Sequence, residues 1–254
     1  MRAQVGGWIE PISLDLEERA RHAPLMMLKS HELAQPAHIV YGFTTRSDMA
    51  GRRLHLGTGV AQADWARAAE DLGVAGWPTA YVSQVHGDQA LWAETDGCVG
   101  EADAVFTREP ELLVAVRTAD CVPILVWGES VVGAIHAGWR GLAAGIIPKA
   151  LQMLSKEGPL HAVVGPSICM DCYEVGEEVV QGIARWTEPK LFVRRGLGKP
   201  HVDGGAAAVA QLRRAGVAHV ERLAECSRCD TRLWSHRRDG AQAGRQAGLV
   251  GRRC

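Results

Sequence analysis

Two histidines and one cysteine, His86, Cys121 and His136, are the residues whose types best fit a reactive site. Two imidazoles and one thiolate suit zinc, and three protein ligands leave a fourth position for water, as in catalytic zinc sites. The thiolate also suits Cu(I), so copper is an alternative. Without a metal, Cys121 and His136 can form a thiolate–imidazolium pair, the nucleophile of cysteine hydrolases. The residue types therefore indicate either a metal centre or a cysteine nucleophile.

A predicted β-hairpin brings Cys121 and His136 together. Val122–Trp127 and residues 131–135 are short β-branched runs typical of strands, and residues 128–129 fit a two-residue type II′ turn. In that register Cys121 lies directly opposite His136, with Cβ atoms about 5 Å apart. A three-residue loop would turn His136 to the other face. A buried cysteine beside a hydrogen-bonded core histidine also fits, but acidic, thiol, imidazole and guanidinium groups crowd one end of this hairpin, which favours a site.

Arginines beside glycine, threonine or serine form a second set of candidates. A guanidinium binds phosphate or carboxylate through two hydrogen bonds, and we predict this catalytic role for Arg46 and Arg140. Arg237 and Arg238 have similar neighbours but are interpreted as solvated surface residues. The sequence has neither a GxGxxG motif nor a Walker P-loop, which disfavours dinucleotide and P-loop nucleotide chemistry.

Two Cys-x-x-Cys pairs, Cys169 with Cys172 and Cys226 with Cys229, resemble a four-cysteine zinc site. The gap between the pairs is much longer than in a compact zinc ribbon, and the first pair directly precedes a predicted helix. Such cysteines also occur as small buried hydrophobic residues. Seven cysteines are an odd number spread over a long chain, so a complete disulfide framework explains them poorly. We therefore expect reduced thiols.

Length and composition predict an ordinary globular protein. The chain has 254 residues, of which 47% are apolar and 22% charged, with a formal net charge of −1. This length fits one large domain or at most two, and the charge gives no reason to expect nucleic acid or a membrane surface as a partner. No apolar run is long enough to span a membrane, and the N-terminus lacks a secretory signal pattern. The expected location is the cytoplasm.

Strands and helices alternate irregularly along the chain, which predicts a single α/β (α+β) domain with a mixed β-sheet core and flanking helices. This domain is assigned to residues 37–254, after an N-terminal extension at 1–36 that contains a short helix or strand. Further strands are expected at 39–46, 79–85, 101–106, 112–116, 162–164 and 217–223. Helices are expected at 61–72, 142–154, 174–186 and 204–215, and Pro148 is expected to kink or shorten the second of them.

Ten short motifs carry a family resemblance that covers about residues 38–250. In chain order they are FTTR at 43–46, QVHG at 84–87, EADA at 101–104, TADC-x-P at 118–123, HAGWRG at 136–141, GP-x-I at 165–168, CYEVG at 172–176, C-x-x-C-D at 226–230, SHRRDG at 235–240 and GRQAGL at 244–249. Together they resemble the bacterial laccase-domain family, also called multicopper polyphenol oxidoreductase, purine nucleoside phosphorylase or peptidoglycan editing factor.

The resemblance implies a fold similar to the catalytic domain of cytotoxic necrotizing factor and a zinc ion bound by His86, Cys121 and His136. It implies phosphorolysis of adenosine, inosine, guanosine and methylthioadenosine, and deamination of adenosine, so purine nucleosides and phosphate are the expected partners. The two Cys-x-x-Cys pairs match family positions that are not ligands of this metal. Ser47 and Asp48 stand where the family usually has two glycines, which leaves the substrate preference open.

The working hypothesis is that zinc activates a water molecule for attack on C6 of adenosine. Arg46 or Arg140 would hold phosphate against C1′ of the ribose, and Asp88 or Asp120 would orient a metal-bound histidine. Three rivals remain: a copper-dependent polyphenol oxidase, a Cys/His hydrolase that edits cell-wall precursors, and a metal-binding module without activity. A multicopper oxidase needs many more histidines in paired clusters than this sequence has.

Overall fold

The computed structural model describes residues 27–29, 36–48, 50–57 and 62–254 of the chain. Most of the predicted N-terminal extension, and residue 61 at the start of the first predicted helix, lie outside these ranges. Within the extension, Met27 and Leu28 pair antiparallel with Thr44 and Phe43. A short strand of the extension therefore belongs to the first sheet of the domain.

The described residues contain fourteen strands and six α-helices. The strands are β1 (Met27–Leu28), β2 (Ile39–Thr44), β3 (Thr79–Ser83), β4 (Ala90–Trp92), β5 (Gly97–Glu101), β6 (Ala104–Thr107), β7 (Leu113–Thr118), β8 (Val122–Trp127), β9 (Val132–Ala137), β10 (His161–Val164), β11 (Val193–Arg194), β12 (His201–Val202), β13 (His219–Arg222) and β14 (Gln246–Arg252). The helices are α1 (Gln62–Asp71), α2 (Trp139–Ala144), α3 (Ile146–Gln152), α4 (Glu177–Ala184), α5 (Gly204–Arg214) and α6 (His236–Asp239). No helix in this part of the chain is long and apolar enough to cross a membrane.

Two six-stranded mixed sheets form the centre of the molecule. Their strand orders are β1-β2-β14-β7-β3-β5 and β13-β10-β8-β9-β6-β4, and β11 pairs with β12 separately. All six residues of β2 and all six of β8 are buried, so these strands have layers packed on both faces. Burial on both faces explains why their sequences are continuous apolar runs rather than alternating ones. The predicted α/β domain with a mixed sheet is confirmed, with two sheets in place of one.

The apolar side chains form three cores that separate four layers. Tyr41 of β2 stacks on Trp127 of β8 at a ring-centroid distance of 5.2 Å, within the core between the two sheets. The alternate residues of β8, such as Ile124, pack against α2 to α5 on the other face. Trp65 and Ala68 of α1 cover the outer face of the first sheet. The order of layers is helix, sheet, sheet and helices.

The predicted helix at 142–154 is two helices, and the break lies at Gly145 rather than at Pro148. Gly145 has a φ of +83°, and a Cβ there would lie 2.4 Å from the indole ring of Trp186. Only glycine fits this left-handed, crowded position. Pro148 lies in the first turn of α3, where the missing amide proton has no helical partner to lose.

The central hairpin of β8 and β9 has a longer loop than the sequence predicts. Trp127 pairs with Val132 and Pro123 with His136, so four residues form the turn, closed by the Gly128 amide donating to Val131 O at 2.9 Å. The predicted two-residue turn, and with it Cys121 directly opposite His136, is wrong. The register differs by two residues, however, and side chains alternate with a period of two. Cys121 and His136 therefore still lie on the same face, as diagonal neighbours.

Candidate active site

His86, Cys121 and His136 meet where the two sheets adjoin. His86 follows β3 of the first sheet, whereas Cys121 directly precedes β8 and His136 lies in β9 of the second. Their potential ligand atoms all lie within 4.8 Å of one another. Cys121 Sγ is 3.9 Å from His86 Nε2, and the two imidazole rings meet edge to face with centroids 4.8 Å apart. The structure thus brings together the three residues that the sequence singles out.

Asp103, in the loop before β6, orients the ring of His136 and holds the backbone at His86. This carboxylate is fully buried. Its Oδ1 accepts hydrogen bonds from His136 Nδ1 at 2.7 Å and from the backbone amide of His86 at 3.0 Å, and its Oδ2 accepts one from the amide of Gly87 at 2.6 Å. An ionised carboxylate is only an acceptor, so the proton of His136 lies on Nδ1. A metal ion would bind the other nitrogen, Nε2, in place of a proton.

The two carboxylates that the sequence suggested for this orienting role have other partners. Asp88 forms an ion pair with Lys149. Asp120 accepts hydrogen bonds from Ser227 Oγ and from the backbone amide of Arg237, both at 2.6 Å. The assignment of Asp88 or Asp120 is therefore wrong, and Asp103 takes their place. Its only signal in the sequence is its position in the EADA motif.

The electrostatics of the site favour a thiolate on Cys121. Burial opposes this charge, but His136 and His86 outweigh the effect and lower the pKa of Cys121 to about 6. Burial likewise opposes the imidazolium of His136, whereas Cys121 and Asp103 raise its pKa to about 9. The thiolate is the form of cysteine that binds metals and attacks electrophiles. Both kinds of chemistry expected from the sequence are thus open to this group.

Two site residues have a backbone conformation that is rare outside glycine. His86 has a φ of 60° and Asp120 a φ of 91°. Such positions persist only where neighbouring contacts hold them, and they cluster at functional sites. The Asp103 carboxylate holds His86, and Asp120 is held through both its carboxylate and its carbonyl oxygen, which accepts from the amide of Ile168 at 3.0 Å. These contacts thus keep the loops that carry His86 and Cys121 in their strained conformations.

The donor set fits one zinc ion. Zinc binds imidazole nitrogen at about 2.0–2.1 Å and thiolate sulfur at about 2.3 Å, so donor atoms grouped within 4.8 Å reach a common ion through small side-chain shifts. A carboxylate that hydrogen-bonds the second nitrogen of a histidine ligand is a regular companion of zinc sites, and Asp103 supplies it. The same donors also suit Cu(I).

A cavity of about 460 Å³ opens over the three residues. Its polar wall includes Arg117, Arg237 and Arg245. A second cavity of about 120 Å³ shares His86 and Cys121 with it but is mostly apolar. The site therefore has a basic side and an apolar side, with the three potential ligands between them.

The two arginines predicted to be catalytic differ in their positions. Arg140 lines the smaller cavity beside Cys121. Arg46 lines neither cavity. Its guanidinium lies 4.3 Å from the ring centroid of Trp234 and donates to Thr231 O at 3.3 Å. The structure thus brings Arg140 to the site and leaves Arg46 outside both cavities.

Sequence reasoning missed the basic residues of the larger cavity. Arg237 and His236 belong to the SHRRDG motif, and Arg245 to GRQAGL. Arg117 is pinned by hydrogen bonds from its guanidinium to Gly57 O and Val82 O. Each of these charged residues alone resembles an ordinary surface residue. Their membership of the SHRRDG and GRQAGL motifs was the signal in the sequence that could have assigned them to the site.

The comparisons with known proteins identify the family of this chain. Residues 58–253 match the family model described as multi-copper polyphenol oxidoreductase laccase. The chain belongs to this laccase family. A purine nucleoside phosphorylase of Streptomyces coelicolor is 35% identical to it over 243 residues, which cover 88% of this chain and 99% of that protein.

Two further proteins are similar to this chain, one named as an adenosine deaminase and one known from its crystal structure. An adenosine deaminase from an unknown prokaryotic organism is 38% identical over 164 residues, covering 60% of this chain and 63% of that protein. The crystal structure of YlmD from Geobacillus stearothermophilus has a TM-score of 0.77 at 28% identity and covers 91% of this chain and 100% of that one. This chain therefore shares its two-sheet fold with YlmD.

Gly138 must lack a side chain if the three residues are to meet. A Cβ at this position would lie 2.9 Å from His86 Cδ2 and 3.2 Å from Cys121 Sγ. We expect Gly138→Ala to separate the donors and to weaken metal binding about tenfold, the lower end of the range for changes next to metal ligands. Equilibrium dialysis against a zinc buffer measures this change.

Gly158→Ala is the matched control, because no atom lies within 4 Å of a Cβ at that position. It should bind metal as the unaltered protein does. Equal affinity in the Gly138 and Gly158 variants would contradict the crowding argument.

Proposed function

We propose that this protein is a zinc-dependent purine nucleoside phosphorylase that also deaminates adenosine at the same site. The observation that carries the proposal is the single cavity that joins His86, Cys121 and His136 to a wall of arginines. Its volume of about 460 Å³ lies in the usual range for small-molecule sites. Relatives named purine nucleoside phosphorylase and adenosine deaminase support the same substrate class.

The residues of the cavity have separable roles in this proposal. Zinc held by His86, Cys121 and His136 would supply a Lewis acid at the floor. Arg237 and Arg245 on the basic side would bind phosphate, because guanidinium groups neutralise its charge and donate paired hydrogen bonds.

Phosphorolysis needs little covalent work from the protein. A phosphate oxygen forms a bond to C1′ of the ribose, the bond from C1′ to the purine nitrogen breaks, and its electron pair leaves with the base, which takes up a proton. Holding the two reactants side by side supplies much of the rate enhancement. In deamination, water adds at C6 and ammonia leaves. Both reactions require a purine nucleoside in one cavity, and only the first requires phosphate.

The deciding experiment is to incubate zinc-loaded protein with adenosine, with and without phosphate, and to separate the products by chromatography. We expect adenine and ribose 1-phosphate only when phosphate is present, and inosine in both samples. Folded, zinc-loaded protein that yields no product in either sample would overturn the proposal. Adenine that forms equally without phosphate would show hydrolysis in place of phosphorolysis.

A Cys/His hydrolase is the second candidate, and the thiolate that His136 stabilises on Cys121 favours it. In this alternative Cys121 attacks a carbonyl carbon and the His136 imidazolium protonates the leaving group. Removing metal with a chelator would then spare the activity, and a thiol alkylating reagent would block it. The phosphorylase requires the opposite result for the chelator.

Arg237→Ala is expected to raise the KM for phosphate about tenfold with a smaller change in kcat. The reason is the loss of one charged hydrogen bond, worth ~1.5 kcal/mol, from the basic side of the cavity. Steady-state kinetics with varied phosphate and saturating adenosine measures the effect. The same assay on Arg46→Ala and Arg140→Ala tests the two arginines predicted from the sequence.

Arg213→Ala, on the exposed surface of α5, is the control for a general loss of positive charge. It should leave the KM for phosphate unchanged. If Arg237→Ala raises only the KM for adenosine, its side chain contacts the nucleoside and the assignment of the basic side to phosphate is wrong.

A further inference from the structure

Four cysteine sulfurs from two distant segments form a second cluster that shares no residue with the candidate active site. The Sγ atoms of Cys169, Cys172, Cys226 and Cys229 all lie within 4.8 Å of one another. Cys172 Sγ and Cys229 Sγ are 3.3 Å apart although 57 residues separate them in the chain. The long gap, which counted against a common site in the sequence, is thus closed by the fold.

Backbone pairing between the two segments builds the cluster. Ser167 and Cys226 form an isolated parallel bridge, and the Ser227 amide donates to Ser167 O at 3.1 Å. Each Cys-x-x-Cys segment is itself a tight turn: the Cys172 amide donates to Cys169 O at 3.1 Å, and the Asp230 amide donates to the carbonyl of Cys226 at 2.8 Å. Two turns of this kind, held face to face, point four thiols at a common centre.

One arginine, Arg238, holds the backbone of the second turn, residues 226–230. Arg238 Nη1 donates hydrogen bonds to the carbonyl oxygens of Ser227, Arg228 and Asp230 at 3.1 to 3.2 Å. Its guanidinium also pairs with Asp239 at 2.7 Å. The turn therefore keeps its shape independently of the cysteines, which makes the sulfur positions pre-organised for a ligand.

We propose that these four cysteines bind one structural zinc ion, in addition to the metal of the active site. Tetrahedral zinc with four thiolates has Zn–S distances of about 2.3 Å, which places the sulfurs roughly 3.8 Å apart, close to the grouping observed. One Sγ also accepts a hydrogen bond from the partner turn, from the Cys169 amide to Cys226 Sγ at 3.3 Å. Each thiol gives up its proton to solvent when the metal binds. With four protein ligands the ion has no open position, which suits a structural site.

The zinc of this cluster would fix one wall of the active site. Ser227 in the second turn donates to the Asp120 carboxylate at 2.6 Å, and Ile168, which precedes the first turn, donates its amide to Asp120 O at 3.0 Å. Asp120 is the strained residue directly before Cys121. Joining the two turns through a metal therefore secures the backbone that presents the Cys121 thiolate.

The test is a metal count on the full-length protein purified with zinc and a reducing agent, by native mass spectrometry and elemental analysis. We expect two zinc ions per chain with all seven cysteines reduced. The double variant Cys172→Ser/Cys229→Ser should retain one, and Cys121→Ala should also retain one. Cys98→Ser, a change at an exposed cysteine outside both clusters, should retain two.

Spectroscopy distinguishes the two sites without relying on enzymatic activity. Protein loaded with Co²⁺ should show intense sulfur-to-cobalt absorption that the double variant largely loses and Cys121→Ala largely keeps, because four of the five ligating thiolates belong to this cluster. Absence of zinc from Cys121→Ala, which keeps all four cluster cysteines, or masses that show disulfides within the cluster after reductive purification, would overturn the proposal. The count on Cys121→Ala decides the question even if the double variant does not fold.

Discussion

Cys121→Ala is expected to abolish both phosphorolysis and deamination of adenosine and to remove the active-site metal. Cys121 contributes the thiolate of the three-residue donor set, and its sulfur lies 3.9 Å from His86 Nε2. Loss of metal assistance worth several kcal/mol corresponds to a fall in kcat/KM of about a thousandfold or more. Product chromatography and elemental analysis on the same preparation measure both effects.

The control for the Cys121 variant is Cys98→Ser, which removes an exposed thiol outside both cysteine-containing clusters. It should keep full activity and its full metal content. If the Cys121 variant retains either reaction at the unaltered rate, the two reactions do not share this site. Retention of both reactions would show that Cys121 is not part of the catalytic centre.

Asp103→Asn is expected to have the second large effect, on metal affinity and on folding stability together. The carboxylate is fully buried and accepts hydrogen bonds from His136 and from the amides of His86 and Gly87. Removing one partner of a buried charged pair costs about 3–5 kcal/mol, and losing a carboxylate behind a metal ligand weakens binding about 10- to 100-fold. Denaturant titration and equilibrium dialysis measure the two quantities.

The Asp103 variant also changes how stability depends on pH. Burial raises the pKa of this carboxyl, but hydrogen bonds from His136 and the Gly87 amide outweigh burial, so the pKa is lowered on folding. A carboxyl of this kind stabilises the fold above its unfolded pKa, and the contribution disappears as pH falls below about 4. The variant should lack that part of the acid destabilisation. Asp96→Asn, at an exposed aspartate, is the control, and equal acid profiles for the Asp103→Asn and unaltered proteins would contradict the role of Asp103.

Sequence patterns predicted the strands and the metal-ligand candidates because those features depend on local residues. β2, β8 and α5 lie close to their predicted positions, since continuous β-branched runs and an alanine-rich segment ended by Gly216 define them. The hairpin turn was predicted two residues too short, because a glycine can begin either a two- or a four-residue loop. The side chains of Cys121 and His136 still share a face only because the register differs from the predicted one by two residues, an even number.

The sequence did not predict which residues distant along the chain contact each other. Asp103 precedes β6, and nothing local distinguishes its carboxylate from those of Asp88 and Asp120. Its role follows from the pairing of β6 with β9, which carries Asp103 to His136. The meeting of the two Cys-x-x-Cys turns depends in the same way on one backbone bridge across the chain. Contacts of this kind are made by tertiary packing.

The origin of the three ligands in two different sheets has a consequence for the lifetime of the protein. His86 extends from the first sheet, and Cys121 and His136 from the second. An ion bound by all three would therefore link two layers that are otherwise held by apolar contacts and by the hydrogen bonds of Asp103. By linkage, each tenfold rise in free metal above the dissociation constant adds about 1.4 kcal/mol to the free energy of unfolding. We therefore expect starvation for metal to shorten the survival of this enzyme as well as to silence it.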